Sequence, residues 1–221
     1  MNIKRKILIG SRKSKLAKTQ TFLVCKKLRS LGFENIDVKY SISSGDMLSY
    51  RKFKENGGKG LFTKELDELL INSSIDLAVH SAKDIPAFTD NRLKIAAFLP
   101  REDARDVLIT KDFKIKTLSD LKGKVIFGSS SPRRINYLKS LLSVVKIKNL
   151  RGNVESRIKQ VRENKIDATL LASAGLKRLK IKYGDVNFVT IPSKKILPAP
   201  GQGAIAVMCR KTDKQMINID E

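Results

Sequence analysis

The segment GSSSPRR (residues 128–134) places two adjacent arginines where a helix is predicted to begin. Ser131 suits the N-cap of that helix and Pro132 its first position, so Arg133 and Arg134 fall in the first turn. The free N–H groups and the helix dipole favour anions there. The two arginines are therefore either solvated residues of a capped helix or part of a site for a carboxylate or phosphate.

Three further segments repeat this combination of cations and hydroxyl or amide groups at the end of an apolar run: GSRKSKLA, HSAKDIP and LRGNVESR. The apolar runs predict strands, and ligands of open α/β sheets bind at the carboxyl ends of strands. Because four separate strand ends deliver cations or hydroxyl groups to a helix N-terminus, the sequence predicts a multivalent anion site.

HSAKDIP (80–86) follows the apolar run IDLAV and contains an acid, Asp84, among the cations and hydroxyl groups at this strand end. Asp84 beside Lys83 would stay ionised, and such a carboxylate can stabilise a developing cation or transfer a proton. The alternative is a Lys83–Asp84 ion pair at a strand end. His80 is expected to be a hydrogen-bonded structural residue.

Glycines and cysteines give weaker indications. GGKG (57–60) is either a lid that carries Lys59 or an ordinary loop. Cys25 and Cys209 are 184 residues apart, in an amphipathic helix and an apolar strand, which predicts core positions and no metal site. The absence of a disulfide framework, a signal peptide and a long apolar run predicts a soluble protein of a reducing cytoplasm.

The chain of 221 residues carries 45 Lys and Arg against 22 Asp and Glu, a formal net charge of +23. This excess predicts anionic partners. The lysines are scattered along the chain, which favours a solvated surface over a nucleic-acid site, and aromatic residues, at 6%, are too few to indicate a base-stacking platform.

Alternating strand and helix patterns must position these segments. They predict an α/β fold of two domains, with mixed, largely parallel sheets, helices on both faces and a cleft between the domains. The first domain comprises residues 1–100 plus 200–221 and is discontinuous, since the late apolar strand GAIAVMC is expected to return to the first sheet. The second comprises residues 104–195.

Seven blocks together resemble the porphobilinogen deaminase family, also called hydroxymethylbilane synthases: GGKGLFTKELDELL, IDLAVHSAKDIP, PREDARDVLI, GSSSPRR, LRGNVESRI, DATLLASAGLKRL and LPAPGQGAIAV. They occur in the family's order and cover most of residues 1–210. The resemblance implies two periplasmic-binding-protein-like domains and a small third α+β domain.

The resemblance also implies a transferase that joins four porphobilinogen molecules head to tail, with loss of ammonia, to give hydroxymethylbilane. Asp84 would be the catalytic carboxylate, which stabilises positive charge on the pyrrole nitrogens, and Lys59 would belong to a mobile loop. The implied partners are porphobilinogen and linear oligopyrroles, with no nucleic acid or membrane, and the implied state is a monomer. The acetate and propionate groups of the pyrroles, and the family's dipyrromethane cofactor, would be held by Arg12, Ser14, Lys83, Ser129, Ser131, Arg133, Arg134, Arg151 and Arg157.

The sequence departs from the family in one respect that bears on activity. Family members attach the dipyrromethane through a thioether to a cysteine of the third domain, and neither Cys25 nor Cys209 matches that position. The sequence stops at Glu221, near where that domain would start, so the third domain is expected to be missing. Lys15 and Ala104 replace two usual prolines. The alternative to an active enzyme is an inactive truncated form or a two-domain module that binds small anions.

Overall fold

The computed structural model describes residues 5–41, 62–142 and 144–217. The chain divides into two compact units, Met1–Arg101 with Ala204–Glu221 and Glu102–Gly203. Each unit contains one five-stranded sheet with helices packed against it.

The elements are named in chain order, and two 3₁₀ turns, Ala82–Asp84 and Leu118–Asp120, lie between them. They are β1 (Ile7–Arg12), α1 (Lys15–Ser30), β2 (Ile36–Ser41), α2 (Lys64–Ile71), β3 (Leu77–Ser81), β4 (Leu93–Leu99), β5 (Asp106–Thr110), β6 (Val125–Gly128), α3 (Pro132–Leu141), β7 (Val145–Lys148), α4 (Val154–Arg162), β8 (Ala168–Ala172), α5 (Ser173–Arg178), β9 (Asn187–Thr190), β10 (Ile205–Arg210) and α6 (Lys214–Ile217).

The sheet of the first unit has the order β2-β1-β3-β10-β4. β1 runs parallel to β2 and β3, so their carboxyl ends lie at one edge, whereas β10 is antiparallel to both β3 and β4. Val24, Cys25 and Leu28 of α1 cover one face of the sheet, and Leu66 and Leu70 of α2 cover the other. Alternate strand residues point to opposite faces, so β1, β3, β10 and β4 contribute to both cores, whereas the edge strand β2 contributes Ile36 and Val38 to the core beneath α1 only.

The sheet of the second unit has the order β7-β6-β8-β5-β9. β6 runs parallel to β7 and β8, and β5 runs antiparallel to β8 and β9. Leu138 of α3 packs in the core on one face, and Ile158 and Leu176 of α4 and α5 pack on the other. β5 is buried along its whole length because both of its faces are covered.

The predicted mixed α/β fold with two sheets is confirmed. Among the described strands, however, four of the eight pairings are antiparallel, and all four involve β5 or β10. Burial on both faces makes these two strands continuously apolar whatever their direction, so their composition does not distinguish the two orientations. The expected core positions of Cys25 and Cys209 are also confirmed, since both thiols are buried in the core between α1 and the first sheet.

Candidate functional site

Asp84 lies at the carboxyl end of β3, in the 3₁₀ turn that follows the strand. Its side chain is half-buried, and no ion pair or hydrogen bond joins the carboxylate to a residue in the described part of the chain. The predicted alternative, an ion pair with Lys83, is therefore not formed.

His80 lies on β3 and is only 4% exposed. Arg12 lies close enough for its charge to act on the imidazole. Burial, assisted by the charge of Arg12, lowers the pKa of His80 to about 4, so the imidazole is neutral at pH 7. Its Nε2 atom has no hydrogen-bond partner among the described residues. The sequence predicts a hydrogen-bonded structural residue; His80 is buried, but its Nε2 makes no hydrogen bond within the described part of the chain.

Arg12 and Ser14 lie where β1 passes into α1. The Arg12 guanidinium carbon stands 4.6 Å from the centre of the Phe62 ring, a cation–π contact. Ser14 is the N-cap of α1, and its hydroxyl accepts a hydrogen bond from the Ala17 amide at 3.2 Å. Ser14 thus has a structural role in starting the helix.

The serines before α3 form a chain of caps. Ser131 is the N-cap, as predicted, and accepts from the Arg134 amide at 3.5 Å, with Pro132 in the first turn. The buried Ser129 hydroxyl in turn accepts from the Ser131 amide at 3.2 Å. These contacts fix the turn between β6 and α3, and with it the position from which both arginines leave the backbone.

Arg133 and Arg134 both bind a carboxylate of the chain itself. Nη2 of Arg133 donates to Oδ2 of Asp106 at 2.7 Å, and Nη2 of Arg134 donates to Oδ1 at 2.7 Å. Asp106, the first residue of β5, is completely buried. Burial raises the pKa of its carboxyl, but the charges and hydrogen bonds of Arg134 and Arg133 outweigh that effect and hold the pKa below its usual value. The solvated alternative for the arginine pair is excluded.

Sequence reasoning missed Asp106 and Gln202, the latter of which donates to Asp106 Oδ1 at 2.9 Å. One signal was available for each. Asp106 is an acid directly before the apolar residues Val107–Ile109 of a strand (DVLIT), and Gln202 is a polar residue between two glycines before another apolar strand. A polar residue in such a position is stable only if it is paired.

Arg151 and Arg157 flank the start of α4. The helix is capped by Asn153, whose side chain accepts from the Ser156 amide at 2.7 Å, and Gly152 before it has φ 106°, in the region that favours glycine. Arg157 folds back so that Nε donates to the Gly152 carbonyl at 2.8 Å. Both arginines are half-buried at the carboxyl end of β7.

The predicted site residues therefore form one group in each unit. In the first unit Arg12, Ser14, Lys83 and Asp84 follow β1 and β3. In the second unit Ser129, Ser131, Arg133 and Arg134 follow β6, and Arg151 and Arg157 follow the neighbouring β7. Lys59 lies outside the described residues.

Neither a metal-ligand cluster nor a membrane-spanning helix occurs in the part of the chain that the structure describes. The described residues contain no group of three or more His, Cys, Asp or Glu side chains that could hold a metal ion. No helix within 5–41, 62–142 and 144–217 combines the length and apolar composition needed to cross a membrane.

Comparison with solved structures defines the class of fold. The chain superposes on an ancestral arginine-binding protein bound to arginine (17% identity, TM-score 0.51, 99% of this chain and 90% of that one). It also superposes on the BenM effector-binding domain with benzoate (14% identity, TM-score 0.55, 96% and 90%). A third match is the periplasmic aliphatic sulphonate binding protein SsuA from Escherichia coli (17%, TM-score 0.51, 93% and 61%). The fold is that of the periplasmic-binding-protein-like class.

Sequence comparison identifies the family within this class. The family described as "Porphobilinogen deaminase, dipyromethane cofactor binding domain" matches residues 7–218. The porphobilinogen deaminases of Geobacillus sp. (strain WCH70) and Rickettsia prowazekii (strain Madrid E) are each 42% identical over 214 residues, or 96% of this chain. This chain spans 68% and 71% of their lengths, and 60% of that of the Rickettsia rickettsii (strain Sheila Smith) relative. The chain belongs to the porphobilinogen deaminase family.

Proposed function

We propose that the chain is a hydroxymethylbilane synthase of tetrapyrrole biosynthesis, which joins four porphobilinogen molecules head to tail. In each step the bond between the aminomethyl carbon and its nitrogen breaks and ammonia leaves. A new carbon–carbon bond forms between that methylene and the free ring carbon of the neighbouring pyrrole, which loses a proton. When the finished tetrapyrrole is released, water supplies the hydroxyl group of hydroxymethylbilane and a proton to the ring carbon left behind. Family membership supports this reaction, and the observation that carries it to this chain is the available carboxylate of Asp84 at a strand end.

Asp84 suits the central role because the reaction develops positive charge on a pyrrole as ammonia leaves. A fixed carboxylate stabilises such a charge more in the transition state than in the ground state, which lowers the barrier. Its freedom from ion pairs with described residues keeps it available for this purpose. A receptor for anions, by contrast, gains nothing from an acid placed among its cations.

The cations and hydroxyl groups at the strand ends suit the rest of the substrate. Each pyrrole carries two carboxylates, and arginine binds carboxylates through paired hydrogen bonds. We assign this binding role to Arg12, Ser14, Lys83, Ser129, Ser131, Arg133, Arg134, Arg151 and Arg157, and a role in a loop over the site to Lys59.

The same residues fit the carboxylates of the dipyrromethane cofactor named in the family description. When bound, this cofactor supplies the pyrrole end to which the first substrate unit is added. The thioether attachment of the family does not fit either cysteine of the chain. Cys25 is 5% and Cys209 0% exposed, and burial raises the pKa of both thiols. The chain would therefore hold the cofactor through its arginines and not through Cys25 or Cys209.

The proposal includes the setting of the reaction. We assign the chain to the cytoplasm as a monomer whose partners are porphobilinogen and linear oligopyrroles, with neither nucleic acid nor a membrane involved. Its free, buried thiols agree with a reducing compartment. A chain that binds random DNA more tightly than porphobilinogen at physiological salt would contradict the assignment of partners.

The variant Asp84→Asn tests the proposal. It removes the charge and keeps the shape, so turnover should fall by roughly 100-fold or more, while porphobilinogen still binds and the thermal midpoint is unchanged. Asp90→Asn is the matched control, because Asp90 is an acid of the same unit whose carboxylate pairs with Arg92 at 2.7 Å. Equal turnover in the two variants would remove Asp84 from the mechanism.

A further inference from the structure

Asp106 is a fully buried carboxylate that accepts side-chain hydrogen bonds from two arginines and one glutamine. It accepts from Arg133 Nη2, Arg134 Nη2 and Gln202 Nε2 at 2.7, 2.7 and 2.9 Å, and it is 0% exposed. One negative charge thus faces two guanidiniums, which leaves the cluster of Asp106, Arg133 and Arg134 with a net charge of +1. A buried excess charge is costly unless another ion neutralises it.

The two arginines differ in how firmly they are held. The Arg134 side chain is 8% exposed, and its Nη1 donates to the Leu170 carbonyl of β8 at 2.9 Å, so both ends of its fork are fixed inside the unit. The Arg133 side chain is 22% exposed, and its Nη1 donates to the Leu197 carbonyl at 2.6 Å. Leu197 is itself 62% exposed. Only Arg133 has a donor at the solvent-facing side of the cluster.

The Arg133 contact with Leu197 can be replaced by a ligand. A carboxylate is a stronger acceptor for a guanidinium than a neutral carbonyl is. Arg133 has further N–H donors on Nη1 and Nε, and Asp106 occupies Nη2 alone. Asp106 therefore fixes one side of the fork and leaves the other side available.

Gln202 holds Asp106 in the orientation that both arginines require. Its Nε2 donates to the Ala104 carbonyl at 2.6 Å as well as to Oδ1 of Asp106. The adjoining Gly203 carbonyl accepts from Arg178 Nη2 at 2.6 Å, which secures the same turn. Two motifs to which the sequence analysis gave no role, PREDARD and GQGA, thus meet at one carboxylate.

We propose that Asp106 and Gln202 are positioning residues that lock Arg134 into the fold and present Arg133 to one carboxylate of the substrate. Arg134 then neutralises Asp106 permanently, and the substrate supplies the second negative charge of the cluster. The inference rests on the proposed function, since it takes porphobilinogen as the ligand. It changes that proposal in one respect: Arg133 contacts the substrate, whereas Arg134 pairs with Asp106 inside the unit and does not contact the substrate.

A double-mutant cycle on the affinity for porphobilinogen, measured by titration calorimetry, tests this inference. Arg133→Met should raise the dissociation constant roughly 10- to 100-fold, the value of a charge-assisted hydrogen bond. Asp106→Asn should raise it as well, because the amide cannot accept from both guanidiniums. The double variant should bind as Arg133→Met does, since Asp106 acts through Arg133.

Asp103→Asn is the matched control for the cycle. Asp103 also receives both ends of an arginine fork, that of Arg105, in the segment just before β5. Loss of this pair should leave the dissociation constant within twofold of the wild-type value. Additive effects of Asp106→Asn and Arg133→Met would mean that Asp106 only stabilises the unit, and would overturn the positioning role.

Two further outcomes separate this inference from the proposed function. If the chain binds porphobilinogen without turnover, the proposed enzymatic activity is contradicted, but the double-mutant cycle still tests the positioning role of Asp106. If the wild-type chain does not bind porphobilinogen, both the proposed function and this inference are overturned. If Asp106→Asn does not fold, nitrogen-15 spectra of the wild-type arginine side chains decide the matter. Porphobilinogen should shift the Nε–H signal of Arg133 and leave that of Arg134 in place, and the reverse would overturn the inference.

Discussion

At the end of β3, His80 and Asp84 stand four residues apart in opposite surroundings. His80 is buried and neutral, next to Arg12, whereas Asp84 is half-buried in a turn with no described partner. The sequence predicts the strand end and the acid, because both follow from an apolar run and its termination. It does not predict that His80 Nε2 lacks a hydrogen-bond partner among the described residues, since hydrogen bonding within a core depends on residues distant in the chain.

The burial of His80 predicts a pH dependence of stability. Its folded pKa of about 4 lies below the ordinary histidine pKa of 6.5. The folded state therefore binds a proton less readily than the unfolded chain does. The stabilising contribution is complete above pH 6.5 and is lost as the pH falls toward 4, by roughly 3 kcal/mol in all at about 1.4 kcal/mol per unit.

Urea unfolding between pH 7 and pH 4 measures this contribution. His80 is the one histidine of the sequence. The variant His80→Asn therefore shows the pH dependence that the carboxylates alone produce, and the difference between the wild type and this variant is the contribution of His80. The free energy of unfolding should fall more steeply with acidification in the wild type than in this variant. Parallel curves would show that His80 is solvated in the folded chain.

At the scale of elements, the turn from β6 to α3 shows what sequence can and cannot predict. The Ser131 cap and Pro132 are local signals, and the structure confirms the helix start. The pairing of Arg133 and Arg134 with Asp106, 27 and 28 residues earlier, was not predicted. A tertiary contact of this kind requires the register of β5 against β8, which hydrophobic patterns do not contain.

The same turn depends on Gly128 at the end of β6. A Cβ atom there would lie 2.5 Å from Ile166 Cδ1 and 2.7 Å from Leu150 Cδ2. Gly128→Ala should lower the free energy of unfolding by about 1–3 kcal/mol, the usual effect of overpacking a core. Chemical denaturation measures it.

Gly184→Ala is the control for this substitution, because nothing lies within 4 Å of its Cβ position. Surface changes of this kind are worth about 0.5 kcal/mol or less. Equal stability of the two variants would show that the end of β6 tolerates a side chain, and that the close approach of β6 to its neighbours is not required.

At the scale of the whole molecule, the chain leaves the first unit after Arg101 and returns to it at Ala204. The returning strand is secured by a cluster of two arginines and two acids. Arg5 contacts Asp76 at 2.6 Å and Asp213 at 3.0 Å, and Arg210 contacts both acids at 3.3 Å. The cluster joins residues from both ends of the sequence, which stabilises a unit built from two separate stretches.

The fold class followed from the alternation of strand and helix patterns, and the comparison with periplasmic-binding-protein-like structures confirms it. The direction of β5 and β10 did not follow, because a buried strand is apolar in either orientation. Site residues could be proposed because each lies directly after a strand. Their partners could not, because Asp106 and Gln202 occur in segments that carry no catalytic pattern of their own.

The most direct test of the central claim is turnover of porphobilinogen by the purified 221-residue chain, with the intact mass of the protein recorded on the same sample. The account predicts ammonia release, formation of hydroxymethylbilane and no covalent pyrrole adduct on Cys25 or Cys209. A folded chain that binds porphobilinogen but releases no ammonia would contradict it, and would leave an anion-binding module with the fold of an enzyme.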